Sequence, residues 1–170
     1  MENPKVIITL TSLKKIKLEL YPDIAPITVQ NFLNLVDKEF YNGTIFHRVI
    51  KNFMIQGGGY YAKNTSLNEK DSETIIGEFS SNGIKNDLKH TPGVISMART
   101  YINDSASCQF FICVADCPHL DGEYAAFGKT LDEESLNNVI EISEVKTRSL
   151  ALGLDDFPTT PIIIKSIKRL

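Results

Sequence analysis

Near the start of the chain, KVIITLTS and KKIKLEL are two strand-like runs; in the second, Ile16, Leu18 and Leu20 alternate with Lys15, Lys17 and Glu19. A period of two is the mark of a half-buried strand, so the two runs, joined at about Ser12 and Leu13, predict an antiparallel hairpin. Pro22 ends the alternation. Beyond the turn YPDIAP, Val29, Phe32, Leu33 and Val36 recur at i, i+3, i+4 and i+7, one stripe of a helix, and Pro26 fits its first turn because the missing N–H is not needed there. IFHRVIKNFMIQGGG (45–59) predicts strand, with three glycines turning the chain away. The polar segment from Tyr60 to about Thr74 has no periodicity and is expected to be loop. GEF (77–79) predicts a brief strand, and SSNGIKNDLKHTPG a long loop of the kind that frames sites. GVISMA (93–98), QFFICVA (109–115) and AAFGKT predict strands separated by loops. Asp132 is placed to cap a second helix, with Glu133 and Glu134 in its first turn and Leu136, Val139 and Ile140 as its apolar stripe. A last loop with Gly153, Pro158 and Pro161 leads into PIIIKSIK, a closing strand. About eight strands and two amphipathic helices imply a closed or nearly closed antiparallel barrel with covered ends, although periodicity by itself supports only a β-rich domain with two helices.

Composition narrows the function. At 170 residues the chain suits one domain over residues 1–170 with one core, since such a length buries about 70% of the surface its unfolded form exposes. With 18 basic and 21 acidic residues and a net charge of −3, a nucleic-acid grip by phosphate neutralisation is not expected. Lys14, Lys15 and Lys17 read as the solvated side of a strand. No stretch is long enough to span a membrane, and the start MENPKVIITLT lacks the basic and apolar regions of a signal peptide, so a cytoplasmic location is expected. Cys108, Cys113 and Cys117 form neither a CxxC pair nor an even set, which points to ordinary reduced thiols; Cys117, in a loop, is the one expected to react.

Candidate chemistry concentrates in two stretches. Strand alternation puts Phe46 and Arg48 on one side and His47 on the other, and lets Arg48, Met54 and Gln56 share a face. Gln109 and Phe111 repeat that arrangement in a distant strand, so two strands could offer similar chemistry to one pocket. Taken singly, Arg48 reads as a surface ion-pair residue, Phe53 and Phe111 as core, and the glycine triplet as a turn. His47 reads as a satisfied residue of the wall, and His90 as a surface or hydrogen-bonded histidine. Asp104, Ser105 and His90 contain the residue types of a hydrolase, but no nucleophile motif such as GxSxG accompanies them.

The words APITVQNFLNLV, FHRVIKNFMIQGG, GVISMART, CQFFICVAD and FGKT, in this order, give the chain a strong resemblance to the cyclophilins, and more narrowly to bacterial-type single-domain members, which are peptidyl-prolyl cis/trans isomerases. The resemblance implies a mainly β fold: a closed eight-stranded antiparallel barrel capped by two α-helices, with a packed interior and the active groove outside the sheet. It implies catalysis at Arg48, Phe53 and Gln56. It also implies substrate binding by Met54, Ala98, Arg99 (through its backbone), Gln109, Phe111, His119, Leu120 and Tyr124. The ring pocket would be Phe53, Met54, Phe111 and Leu120.

Such a reaction needs no cofactor and no metal, because no bond is broken: the catalyst must hold a twisted X–Pro amide better than either planar form. Proline-containing peptides and unfolded or native protein clients are the expected partners, with neither nucleic acid nor membrane, and a monomer is expected. Arg99 and Tyr124 replace the Asn and His of eukaryotic members, as bacterial-type members commonly do. His119 stands where the family usually has Trp or Phe and helps hold cyclosporin, so weak cyclosporin binding is expected. The alternative is a non-catalytic module or chaperone that uses the same groove to hold proline segments; retention of Arg48 favours the enzyme, since grip alone needs no cation.

Overall fold

A computed structural model describes residues 2–63, 66–150 and 154–170. Its strands are β1 (Lys5–Leu10), β2 (Lys15–Leu20), β3 (Thr44–Ile50), β4 (Met54–Lys63), β5 (Ser66–Glu69), β6 (Val94–Met97), β7 (Phe110–Cys113), β8 (Ala126–Thr130), β9 (Thr147–Leu150), β10 (Leu154–Pro158) and β11 (Ile164–Arg169). The helices are α1 (Pro26–Asp37) and α2 (Glu133–Ser143). Every pairing is antiparallel, in the order β11-β1-β2-β8-β6-β7-β4-β3, with β5 attached to β4. The expected eight-stranded barrel is therefore present but nearly rather than fully closed. Between β3 and the approach to β11 there is no ladder, only a bridge at Ile45 and Ile163, flanked by Gly43 N–H to Ile164 O (2.8 Å) and Phe46 N–H to Ile162 O (3.0 Å).

The predicted hairpin is β1–β2, and its alternation is real: Val6, Ile8, Leu10, Ile16, Leu18 and Leu20 are all buried. The whole α1 stripe is buried too, and Phe32 packs among Tyr41, Phe110 and Phe127 with centroids 5.3 to 5.7 Å apart. One end of the barrel is plugged in this way. Ala25 cannot cap α1 with its side chain; instead the backbone N–H and hydroxyl of Thr28 donate to the buried carboxylate of Glu78 (2.6 and 2.7 Å). A negative group at a helix N-terminus meets both the unpaired N–H groups and the dipole. This explains why GEF is not a strand: Glu78 caps α1 and Phe79 enters the core.

Three further expectations are corrected. The loop expected from Tyr60 is in part a hairpin, because β4 runs on to Lys63 and β5 pairs back on it. The expected last loop holds β9 and β10, a separate two-stranded sheet kinked at Asp156 (φ 59); Gly153 lies outside the described residues. Only Phe157 and Pro158 of this pair are buried, which leaves little alternation to read. On α2 the buried line is Ser135, Val139 and Ile142, with Leu136 and Ile140 only half-buried. Small Ser135 lets the helix approach β2 closely enough for the Lys17 N–H to reach its hydroxyl (2.8 Å), and Lys14 pairs with Glu141 farther along.

Asp132 does cap α2, accepting from the Ser135 N–H at 2.8 Å. Asp132→Ala is expected to cost about 1 kcal/mol, read as a lower denaturant midpoint with unchanged slope; an unmoved midpoint would show that the cap adds nothing. Among the described residues no helix is long and apolar enough to cross a membrane.

Candidate active site

The groove lies outside the barrel where β3, β4 and β7 meet, and a bulge in β3 decides its chemistry. Phe46 pairs with Gly57 and Arg48 with Gln56, so His47 is an extra residue on β3. An extra residue breaks the period of two. Phe46 and Arg48 consequently do not share a side, as simple alternation predicts: Phe46 enters the core against Phe110 (6.0 Å, 90°), whereas Arg48 lines the external groove. His47 is buried edge-on against Tyr60 (4.7 Å), but it is not satisfied as expected, because its Nδ1 has no hydrogen-bond partner among the described residues. Burial, reinforced by the neighbouring Arg48 charge, pushes its pKa down to about 4.

The glycine triplet does not turn the chain. Gly58 sits at φ +88, where a Cβ would lie 2.8 Å from the rings of both Phe110 and Tyr41. At Gly59 a Cβ would lie 2.3 Å from the side chain of Gln109, so the missing side chain makes room for that amide. Gln109 can then accept from Gln56 Nε2 (3.0 Å), while Gln56 Oε1 accepts from Arg48 Nη1 (3.2 Å). Arg48 of β3, Gln56 of β4 and Gln109 just before β7 thus form one polar ridge, in which the Gln56 amide orients the guanidinium.

Beside the ridge is an apolar cup. Register pairs Gln56 with Phe111 and Met54 with Cys113, placing Met54 and Phe111 on the outer face of adjoining strands. Phe53 stands on a tight turn made possible by Asn52 at φ 63, a conformation asparagine tolerates well. Leu120 arrives on the 3-10 turn Pro118–Leu120, and Cys113 and Cys117 pack beneath. Nine of the expected residues line this one groove: Arg48, Phe53, Met54, Gln56, Ala98, Arg99, Phe111, Leu120 and Tyr124. Its volume of about 180 Å³ is below that of drug-sized sites and suits a single ring.

Gln109 and His119 are placed differently. Gln109 lines a second groove of about 450 Å³ on the far side of Gln56, bordered also by Lys70, Asp71 and Thr74. His119 leans on Phe53 (5.6 Å) without lining either groove. Arg99 borders both, and its side chain is engaged within the protein: the guanidinium lies between Phe79 (4.6 Å) and Tyr124 (4.7 Å) and donates to Glu123 O (2.6 Å). Phe79 gave no sign of this role in the sequence, being twenty residues away in an irregular segment.

Other sequence candidates fall elsewhere. Asp104 accepts from the Gly77 N–H (2.9 Å), Ser105 donates to Ile102 O (2.6 Å), and His90 is bonded to Asp121 and Ser96, so Asp104, Ser105 and His90 form no relay. Cys117 is buried rather than reactive, and burial raises its pKa and that of Cys113. What the groove offers is a permanent cation beside a hydrophobic cup, an arrangement suited to holding a twisted neutral group without covalent chemistry.

A family model described as cyclophilin type peptidyl-prolyl cis-trans isomerase/CLD matches residues 5–169. The chain is 43% identical over 163 residues to a peptidyl-prolyl cis-trans isomerase of Acinetobacter baylyi, covering 93% of this chain and 81% of that one. It is 38% identical to peptidyl-prolyl cis-trans isomerase B of Escherichia coli, over 89% and 92% of the two chains. Among solved structures, a cyclophilin type peptidyl-prolyl cis-trans isomerase of Cryptosporidium parvum aligns with TM-score 0.77 and 29% identity over 99% of this chain and 98% of that one. The same protein was also solved in the presence of the dipeptide Ala-Pro, with TM-score 0.76, 29% identity and 98% of each chain covered.

Proposed function

This chain belongs to the cyclophilin-type peptidyl-prolyl cis-trans isomerases and has their activity, and from that premise we propose that Arg48 carries catalysis by stabilising the twisted X–Pro amide over the cup of Phe53, Met54, Phe111 and Leu120. The observation that carries this reading is the placement of one guanidinium, oriented by Gln56, at the rim of an apolar groove sized for a ring.

An X–Pro amide prefers trans by only about 0.5 to 1 kcal/mol but exchanges over tens to hundreds of seconds, because C–N double-bond character must be lost. As the amide twists, the prolyl nitrogen pyramidalises and regains a lone pair. A fixed donor aimed at that lone pair acts in the twisted state and hardly at all in the planar ones, so it lowers the barrier rather than merely tightening binding. Moving from roughly 0.01 per second to a median enzyme rate of about 10 per second requires about 4 kcal/mol. One preorganised donor supplies about 3 to 4 kcal/mol. The cup immobilises the pyrrolidine while the acyl side rotates; Gln56, Ala98, Arg99 and Gln109 hold the flanking peptide. Turnover of an Ala-Pro peptide by the protein and by Arg48→Ala tests the assignment, and undiminished isomerisation in the variant would discard it.

Proline-bearing segments of unfolded or native proteins are the substrates this groove suits, with broad sequence preference because only a ring and some backbone are gripped. Cyclosporin should inhibit weakly. His119 stands over Phe53 where the family's larger aromatic ring would offer more apolar area to a bulky ligand. A tight inhibition constant in a standard proline-isomerase assay would contradict this.

A further inference from the structure

Directly under the groove lies a histidine with no part in the mechanism above. The His90 ring is wholly out of solvent and lies nearly parallel to the ring of Phe111 (centroids 5.9 Å, 15°). Tyr124 meets Phe111 edge-on (5.7 Å, 87°). Three polar contacts immobilise His90: its backbone N–H donates to Asp121 Oδ1 (2.7 Å), its Nδ1 lies 3.0 Å from the same oxygen, and its Nε2 lies 2.9 Å from the Ser96 hydroxyl. A carboxylate only accepts, so Nδ1 carries the proton and Nε2 is left to accept from Ser96. The His90 carbonyl also accepts from the Cys117 N–H (2.8 Å), which anchors the turn that delivers Leu120.

Asp121, His90 and Ser96 stand in the order of a hydrolase relay. Ser96, however, is 0% exposed, so no substrate reaches its hydroxyl. What the relay presents to the groove is the face of its imidazole, and Phe111 rests on that face.

We propose that His90 is a positioning residue for the isomerisation: clamped by Asp121 and Ser96, it sets the height of the Phe111 ring and the place of the Leu120 wall, and so the depth of the cup that grips proline. This rests on the reading of the groove around Arg48. Burial holds the His90 ring below its ordinary pKa and hence neutral, which keeps Nε2 available as an acceptor. The cup touches the prolyl ring in planar and twisted states alike. Lowering or tilting its floor therefore weakens both together and appears in KM, whereas a donor active only in the twisted state appears in kcat.

The experiment measures kcat and KM for an Ala-Pro peptide, with the ring-proton resonances of Phe111, in the full chain carrying His90→Gln, Asp121→Ala or Arg48→Ala. His90→Gln should raise KM about tenfold while kcat stays within about twofold, the pattern of a loss of binding shared by the planar and twisted states. The Phe111 resonances should shift as the imidazole is lost. Asp121→Ala, at a side chain 20% exposed, should move KM and the same resonances in the same direction but less. A folded His90→Gln with unchanged KM, or with lowered kcat at unchanged KM, overturns the proposal. If His90→Gln does not fold, Asp121→Ala decides alone, and an unmoved KM there overturns it. Should Arg48→Ala keep its kcat, the reading of the groove has failed; should it lose kcat while the other two variants keep their KM, only the role of His90 has.

Discussion

Arg48→Ala should lower kcat for an Ala-Pro peptide about 100- to 1,000-fold while KM changes little. That range is the loss of one preorganised donor, about 3 to 4 kcal/mol, and the split follows because the guanidinium meets a lone pair that exists only when the amide is twisted. Arg48 is on the outer face, with Val49 beside it pointing into the core, so its removal leaves the barrel packing intact. Arg48→Lys should fall between the two. The ammonium keeps the charge but lacks the planar fork, one nitrogen of which Gln56 Oε1 holds in place. An Arg48→Ala protein that folds with the wild-type denaturant midpoint and isomerises at the wild-type rate would remove the guanidinium from the mechanism. A large rise in KM with kcat preserved would demote it to a gripping residue.

The barrel was legible where each strand keeps one face wet. β2 shows its period because Lys15, Lys17 and Glu19 mark its less buried side, and α1 shows its own because Gln30, Asn34 and Asp37 lie off the buried stripe. β3 misleads for the opposite reason. Nearly all of it is buried, and His47 is inserted without any residue that announces a bulge, so alternation places Phe46 with Arg48 when the chain separates them. The groove residues themselves follow from the family's ordered words, but the groups behind them do not. Glu78 reaches α1 across fifty residues, Phe79 reaches Arg99 across twenty, and His90 reaches Phe111 across twenty-one. Periodicity reports which side of one element meets the core. It carries no information on which irregular segment closes over which strand, and in this protein those closures build the floor and rim of the site.

Acidification from about pH 7 to about pH 4.5 should destabilise the protein by about 2.4 kcal/mol through His47 alone, and His47→Phe should lose that part of the dependence. In the folded state the pKa of His47 is about 4 against an ordinary 6.5, because its ring is buried and Arg48 adjoins it; its Nδ1 has no hydrogen-bond partner among the described residues. The native state thus holds fewer protons than the unfolded one between those two values. Stability is fully present above about 6.5 and is lost as pH falls toward about 4, at about 1.4 kcal/mol per unit. Carboxylates held below their ordinary range, such as Asp37 beside Arg169, contribute their losses at still lower pH. His90, also held below its ordinary value by burial, adds a loss of the same sign on acidification and remains in the variant. The comparison to make is therefore the change in denaturant-derived stability across the window, wild type minus His47→Phe. Phenylalanine keeps a ring against Tyr60 and removes both the unpaired nitrogen and the proton site, so the variant should be no less stable than wild type at about pH 4.5. Equal pH slopes in the two proteins would mean that His47 takes up its proton in the folded wall as readily as in the open chain. A buried nitrogen without a partner, next to a fixed positive charge, opposes that uptake on both counts.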